Sequence, residues 1–241
     1  MISTADYYRR LKHRLLKIRF QPIRVFCFHQ VSEVFEPETM WKCDWTQIEQ
    51  FKSDILTLKK KYTFISLTDV TEHLHYDCFR FKHYAALTAD DGWLSVMRII
   101  PWLAEQKVPI TLFINPSYLD GVHYQKRKTE MFMTQEDVEA CVRKYYPLIS
   151  IASHGWTHKS CLQMTDEEFD ENVRNAEEVL TSMEGKTNYF AFPYGNMGLC
   201  QINNLKSVGL IPVFMDGCQN FNDESLIHRE LLDRGFGNNA R

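Results

Sequence analysis

At 241 residues, with 44% hydrophobic and 24% charged side chains, the chain holds enough apolar material for one sizeable core and lacks the composition of a disordered protein. A net charge of -3 speaks against a general nucleic-acid binder, whose surface would carry a basic excess. The cysteines (Cys27, Cys43, Cys78, Cys141, Cys161, Cys200 and Cys218) form no Cys-x-x-Cys pair and are odd in number, so a reducing compartment is expected.

The first predicted element is a basic helix within 1–20, where Leu11, Leu15 and Ile18 share one face among Arg9, Arg10, Lys12, Arg14, Lys17 and Arg19. Such a helix suits docking on the domain or a peripheral contact with an anionic membrane face. With no signal-peptide core and no apolar stretch of spanning length, a cytoplasmic location is the expectation. Apolar runs at Ile23 to Phe28, Phe64 to Leu67, Tyr84 to Leu87, Ile110 to Ile114, Leu148 to Ala152, Tyr189 to Phe192 and Leu210 to Phe214 read as strands buried on both faces. Between them, Trp45, Ile48, Phe51, Ile55 and Leu58 recur at helical spacing behind a capping box, Thr46-Gln-Ile-Glu49. Thr134-Gln-Glu-Asp137 opens a shorter helix with Val138, Cys141 and Val142 along its face, and Thr165-Asp-Glu-Glu168 opens one running towards Gly185. The Gly- and Asn-rich stretch 234–241 is expected to be loose. Alternating strands and helices predict a single α/β domain over 1–241, a distorted (β/α) barrel of about seven parallel strands.

Polar residues follow several predicted strands: His29 after the first, Asp90 and Asp91 after Tyr84 to Leu87, His154 after Leu148 to Ala152, and Tyr194 after Tyr189 to Phe192. In parallel α/β folds the loops beyond the strands' carboxyl ends converge, and sites form there. His154 and His158 are spaced so that both rings can reach one metal, with Gly155 free to take an unusual backbone angle. Catalytic zinc commonly takes three protein ligands and keeps a fourth position for water, which two His and one Asp satisfy. The second carboxylate of the Asp pair is then available as a general base.

These residues carry a resemblance. Thr88-Ala-Asp-Asp-Gly92, His154-Gly-Trp-Thr-His158 and Phe190-Ala-Phe-Pro-Tyr-Gly195 follow one another in the order and rough spacing of the NodB-type polysaccharide deacetylases, carbohydrate esterase family four. The resemblance implies that Asp90 is the base, that Asp91, His154 and His158 hold a divalent metal, and that the Tyr194 backbone N–H, following Pro193, donates to the oxyanion. Zn2+ is the expected ion, with Co2+, Ni2+ or Mn2+ as alternatives. Ala89, Gly155 and Lys159 depart from the usual motif residues. Ala191 stands where many members carry an Arg that orients the base, as it does in the subfamily with Phe-Ala-Tyr-Pro-Tyr-Gly. The late Leu-x-His motif that supplies the general acid is read as absent. Val25-Phe-Cys-Phe-His29 resembles the early strand of circularly permuted members, which makes His29 the expected acid and a permuted barrel the expected fold.

Arg229, in Leu226-Ile-His-Arg-Glu-Leu231, is a candidate to hold Asp90 in place of the missing Arg. Trp93 and Trp156 sit beside the metal motifs, where an aromatic face can stack on a sugar, and Pro193 is a further candidate for substrate contact. Asp216 is a candidate to orient a catalytic His, whereas His73 and His75 read as solvated. The expected activity is metal-dependent removal of an N-acetyl group from an amino-sugar saccharide. The alternatives are deacylation of a lipid-linked sugar at the cytoplasmic membrane face and a degenerate domain that binds metal or saccharide without turnover.

Overall fold

The computed structural model describes residues 22–35, 45–76, 82–119, 132–218, 220 and 225–232. The basic N-terminal stretch and the Gly/Asn-rich tail lie outside these residues. The strands are β1 (Arg24–Phe28), β2 (Gln30–Ser32), β3 (Trp45–Gln47), β4 (Thr63–Phe64), β5 (Tyr84–Ala89), β6 (Ile110–Ile114), β7 (Ile149–Ser153), β8 (Lys186–Ala191), β9 (Ile211–Phe214), β10 (Ile227–His228) and β11 (Glu230–Leu231). The main sheet runs β10-β9-β8-β7-β6-β5-β1-β11, with β4 on the start of β5, and its pairings are parallel.

Arg229 alone separates β10 from β11, so the two ends of that order are one stretch of chain. Ile227 and His228 pair with β9, and Glu230 and Leu231 pair with β1. The stretch 227–231 therefore closes the sheet into a barrel whose staves are β1, β5, β6, β7, β8, β9 and 227–231. Arg24 and Glu230 form an ion pair across this seam.

Alternation sorts the side chains. Phe26 and Phe28 of β1, Leu87 of β5, Leu112 and Ile114 of β6 and Ile151 of β7 face the outer core, where they pack with Phe51 and Ile55 of the helix Ile48–Lys59 and Val138 and Val142 of the helix Gln135–Tyr145. Val25, Ala86, Phe113, Ala152, Ala191, Val213 and Ile227 form a separate inner cluster. Its alanines leave the barrel interior room for one large polar side chain.

The capping boxes at Thr134 and Thr165 both form. The one expected at Thr46 does not: Trp45–Gln47 pairs as a strand with Gln30–Ser32, and the helix begins at Ile48 without a side-chain cap. The run expected as a strand at Phe64 to Leu67 is only Thr63–Phe64. Ser66 and Asp69 exchange hydrogen bonds, capping a helix at Leu67–Tyr76.

Candidate active site

The Asp pair ends β5. The Asp90 N–H donates to Phe28 O, which extends the β1 pairing by one residue and fixes the carboxylate over the barrel mouth. Asp91 then turns into left-handed backbone, φ 71, followed by Gly92 at φ 73, so adjacent carboxylates leave the strand in different directions. Asp90 meets the large polar side chain of the barrel interior: Arg229 is 1% exposed, and its Nη1 and Nη2 donate to Asp90 Oδ1 at 2.7 Å and Oδ2 at 2.9 Å. Nη1 also donates to Thr88 Oγ1 at 3.1 Å, and the guanidinium lies over the Phe113 ring, 4.9 Å from its centroid. Burial acts to raise the Asp90 pKa, but the charge and hydrogen bonds of Arg229 act against it, and the carboxyl is held below its ordinary range. Ala191 belongs to the same inner cluster as Phe113, the ring over which the Arg229 guanidinium lies.

Asp91 has other partners. Its Oδ1 lies 3.3 Å from His154 Nε2 and 3.2 Å from His158 Nε2, and this buried oxygen accepts no hydrogen bond. His154 Nδ1 donates to Ala191 O at 2.8 Å, which places the proton of a neutral ring on Nδ1 and turns the Nε2 lone pair towards Asp91. Lone pairs gathered this closely repel unless a cation lies among them. Donors about 3.3 Å apart span the edge of a tetrahedron with bonds of about 2.0–2.1 Å, the lengths zinc makes to His and carboxylate. Asp91, His154 and His158 thus fit a small divalent metal, and their donor atoms lie within 4.8 Å of one another.

The loop His154–His158 is held on two sides. Asn115, just beyond β6, donates through Nδ2 to the carbonyls of His154 at 2.6 Å and Gly155 at 3.0 Å. The Ser117 N–H donates to Trp156 O, and Tyr118 Oη accepts from the His158 N–H. From the helix Asp166–Leu180, Asn172 Oδ1 accepts from the Trp156 N–H at 2.9 Å, and Nδ2 donates to Thr157 Oγ1. Gly155 has φ 78, and a Cβ there would meet Asn172 Oδ1 at 2.5 Å. Asn115 and Asn172 were not singled out from the sequence; they serve backbone atoms of a distant loop, which no local pattern announces.

His29 lies at the mouth, on the inner side of β1. Its ring, Cys27 Sγ and the Asp90 carboxylate have donor atoms within 4.8 Å of one another. Tyr194 follows Pro193 in left-handed backbone, φ 59 and ψ 8, its side chain 63% exposed and its ring edge-on to His158 at 4.5 Å. Trp156 is partly exposed beside the metal loop. Trp93, a candidate both for stacking on a sugar and for core packing, is 3% exposed, with one face stacked on Phe132 at 4.4 Å and its Nε1–H donating to Asp91 Oδ2 at 2.9 Å. The Leu-x-His pattern expected to be missing is present as Leu226-Ile227-His228. Ile227 and Arg229 point inward, so His228 faces outward. Its ring lies beside Phe214, and Nδ1 bonds Asp216 Oδ2 at 2.7 Å. The pair sits on the opposite face of the seam strand from Arg229 and Asp90.

Comparison with known proteins follows this geometry. Among solved structures, IcaB from Ammonifex degensii is similar at a TM-score of 0.72 and 20% identity, covering 88% of this chain and 91% of that one. A Streptococcus pyogenes deacetylase, PplD, in complex with acetate, is similar at a TM-score of 0.74 and 15% identity, covering 87% and 92%. A polysaccharide deacetylase from Bacillus cereus gives a TM-score of 0.72 at 16% identity over 88% of this chain, which spans 65% of that longer protein. At these identities the likeness is one of fold. A sequence search of curated proteins gives no match. The family model for polysaccharide deacetylases matches residues 80–213, more than half of the sequence and all three motif segments, and the chain therefore belongs to the polysaccharide deacetylase family.

Proposed function

We propose that this chain is a metal-dependent carbohydrate deacetylase that removes N-acetyl groups from an amino-sugar oligosaccharide or polysaccharide. The observation that carries the reading is the division of partners within one Asp pair: Asp90 is forked to a guanidinium, and Asp91 faces two imidazole nitrogens. A divalent ion held by Asp91, His154 and His158, Zn2+ foremost, supplies Lewis acidity towards the acetyl carbonyl and lowers the pKa of water. Asp90, kept ionised and oriented by Arg229, accepts the proton of the attacking water. The Tyr194 N–H, presented by its left-handed turn, donates to the oxyanion that develops on the carbonyl oxygen. His29 gives a proton to the amide nitrogen as the C–N bond breaks, so that acetate and a free amino sugar leave. The acetate bound in the Streptococcus pyogenes neighbour is the product this reaction would form.

A degenerate, binding-only domain was the competing reading, and its support was the missing motif Arg. The fork from Arg229 to Asp90 removes that support. The test is acetate release from N-acetylated chitooligosaccharides, with and without chelator, alongside metal content. Asp90→Asn is expected to keep metal and lose at least about 100-fold in turnover, the scale of a lost general base. Asp91→Ala is expected to lose both metal and turnover. Equal metal loss in the two variants would overturn the assignment.

A further inference from the structure

We infer that Trp93 is a positioning residue for Asp91: its indole N–H engages one carboxylate oxygen and so dictates which oxygen, in which direction, is offered to the metal. The inference rests on the metal-site reading above and deepens it. The two Asp91 oxygens have unlike surroundings. Oδ2 accepts from Trp93 Nε1 at 2.9 Å, whereas Oδ1 faces the two imidazoles with no hydrogen bond of its own. A carboxylate fixed through one oxygen cannot swing about its Cβ–Cγ bond, so it presents the other as a single directed ligand. Outer partners of this kind orient metal ligands and tune affinity.

The indole is itself immobilised. Trp93 is buried, its ring stacks on Phe132 with 25° between planes, and its backbone bridges that of Phe132 in antiparallel fashion. The neighbouring Gly92 O accepts from the Met133 N–H at 2.9 Å. Tyr118 packs on Phe132 at 4.7 Å, and its hydroxyl accepts the His158 N–H at 3.2 Å. One aromatic unit, Trp93–Phe132–Tyr118, thereby braces a carboxylate ligand at one end and an imidazole ligand's backbone at the other. Pure packing would require the ring of Trp93 but not its N–H.

The experiment separates those two roles. Zn2+ affinity of metal-free protein is measured by chelator competition for the parent, for Trp93→Phe, for a protein carrying benzothienylalanine at position 93, and for Asp91→Ala. Benzothienylalanine keeps the bicyclic shape and lacks the donor, so it reports even if Trp93→Phe fails to fold. Loss of the N–H is expected to weaken zinc binding about 10- to 100-fold. Parent-like affinity in the benzothienylalanine protein would overturn the role of Trp93 while leaving the metal site standing, provided Asp91→Ala has lost zinc. Parent-like affinity in Asp91→Ala would instead bring down the metal-site reading itself.

Discussion

Arg229 and Asp90 are both buried. Two charges removed from solvent repay their desolvation only when geometry is good, and here two parallel N–H···O bonds supply it. Breaking the pair is therefore costly. Arg229→Met should lower unfolding stability by about 3–5 kcal/mol in a urea titration, since an ionised Asp90 would be left buried alone. Arg229→Lys should be milder in stability yet still slow acetate release by about 10-fold or more, because an ammonium cannot reproduce the fork and the base carboxylate would be free to rotate. Turnover unchanged in both variants would remove Arg229 from the site. The same residue shows where local pattern stops being informative. Ala191 advertised a missing cation, and nothing in residues 190 to 195 states that its replacement arrives from 139 positions beyond Asp90.

Among the elements, the strands with uninterrupted apolar runs were legible because they are buried on both sides of a closed sheet. The seam strand was not: Ile227-His-Arg-Glu-Leu231 sets three polar side chains in a row between two apolar ones, since Arg229 serves the interior site and Glu230 pairs with Arg24 at the joint. Capping boxes were good signals at Thr134 and Thr165, where the capping residue itself is free of any strand, and misleading at Thr46, which β2 claims as a strand residue first. Motif spacing located the loop His154–His158 but not its supports. That loop depends on Gly155, whose φ of 78 is disfavoured for any residue with a Cβ and whose missing side chain makes room for Asn172. Gly155→Ala should cost about 1–3 kcal/mol in thermal or chemical unfolding, the range for strained left-handed backbone. It should also weaken zinc binding, because the displaced Asn172 no longer holds the Trp156 N–H. A parent-like melting temperature and zinc affinity would show that the loop is not braced in this way.

For the molecule as a whole, the metal should act as a staple between the ends of β5 and β7, since Asp91 follows one and His154 the other. A ligand that binds only the native state stabilises it by about 2.7 kcal/mol at 100 times its Kd. For a chain of this size that corresponds to roughly 5–10 °C in Tm. Adding Zn2+ to metal-free protein should produce a shift of this order, and Asp91→Ala should abolish it; an equal shift in both would place the ion elsewhere.

On the proposed mechanism, barrel closure and the readiness of the base are one event, because Arg229 takes part in both. A chain whose final strand has not yet docked would expose bare edges on β1 and β9 and would leave Asp90 without a counter-charge. Such a folding intermediate would be prone to self-association and unable to hydrolyse anything. Hydrolytic competence is thus withheld until the last stave is in place, and the appearance of activity during refolding should follow, never precede, the burial of 227–231.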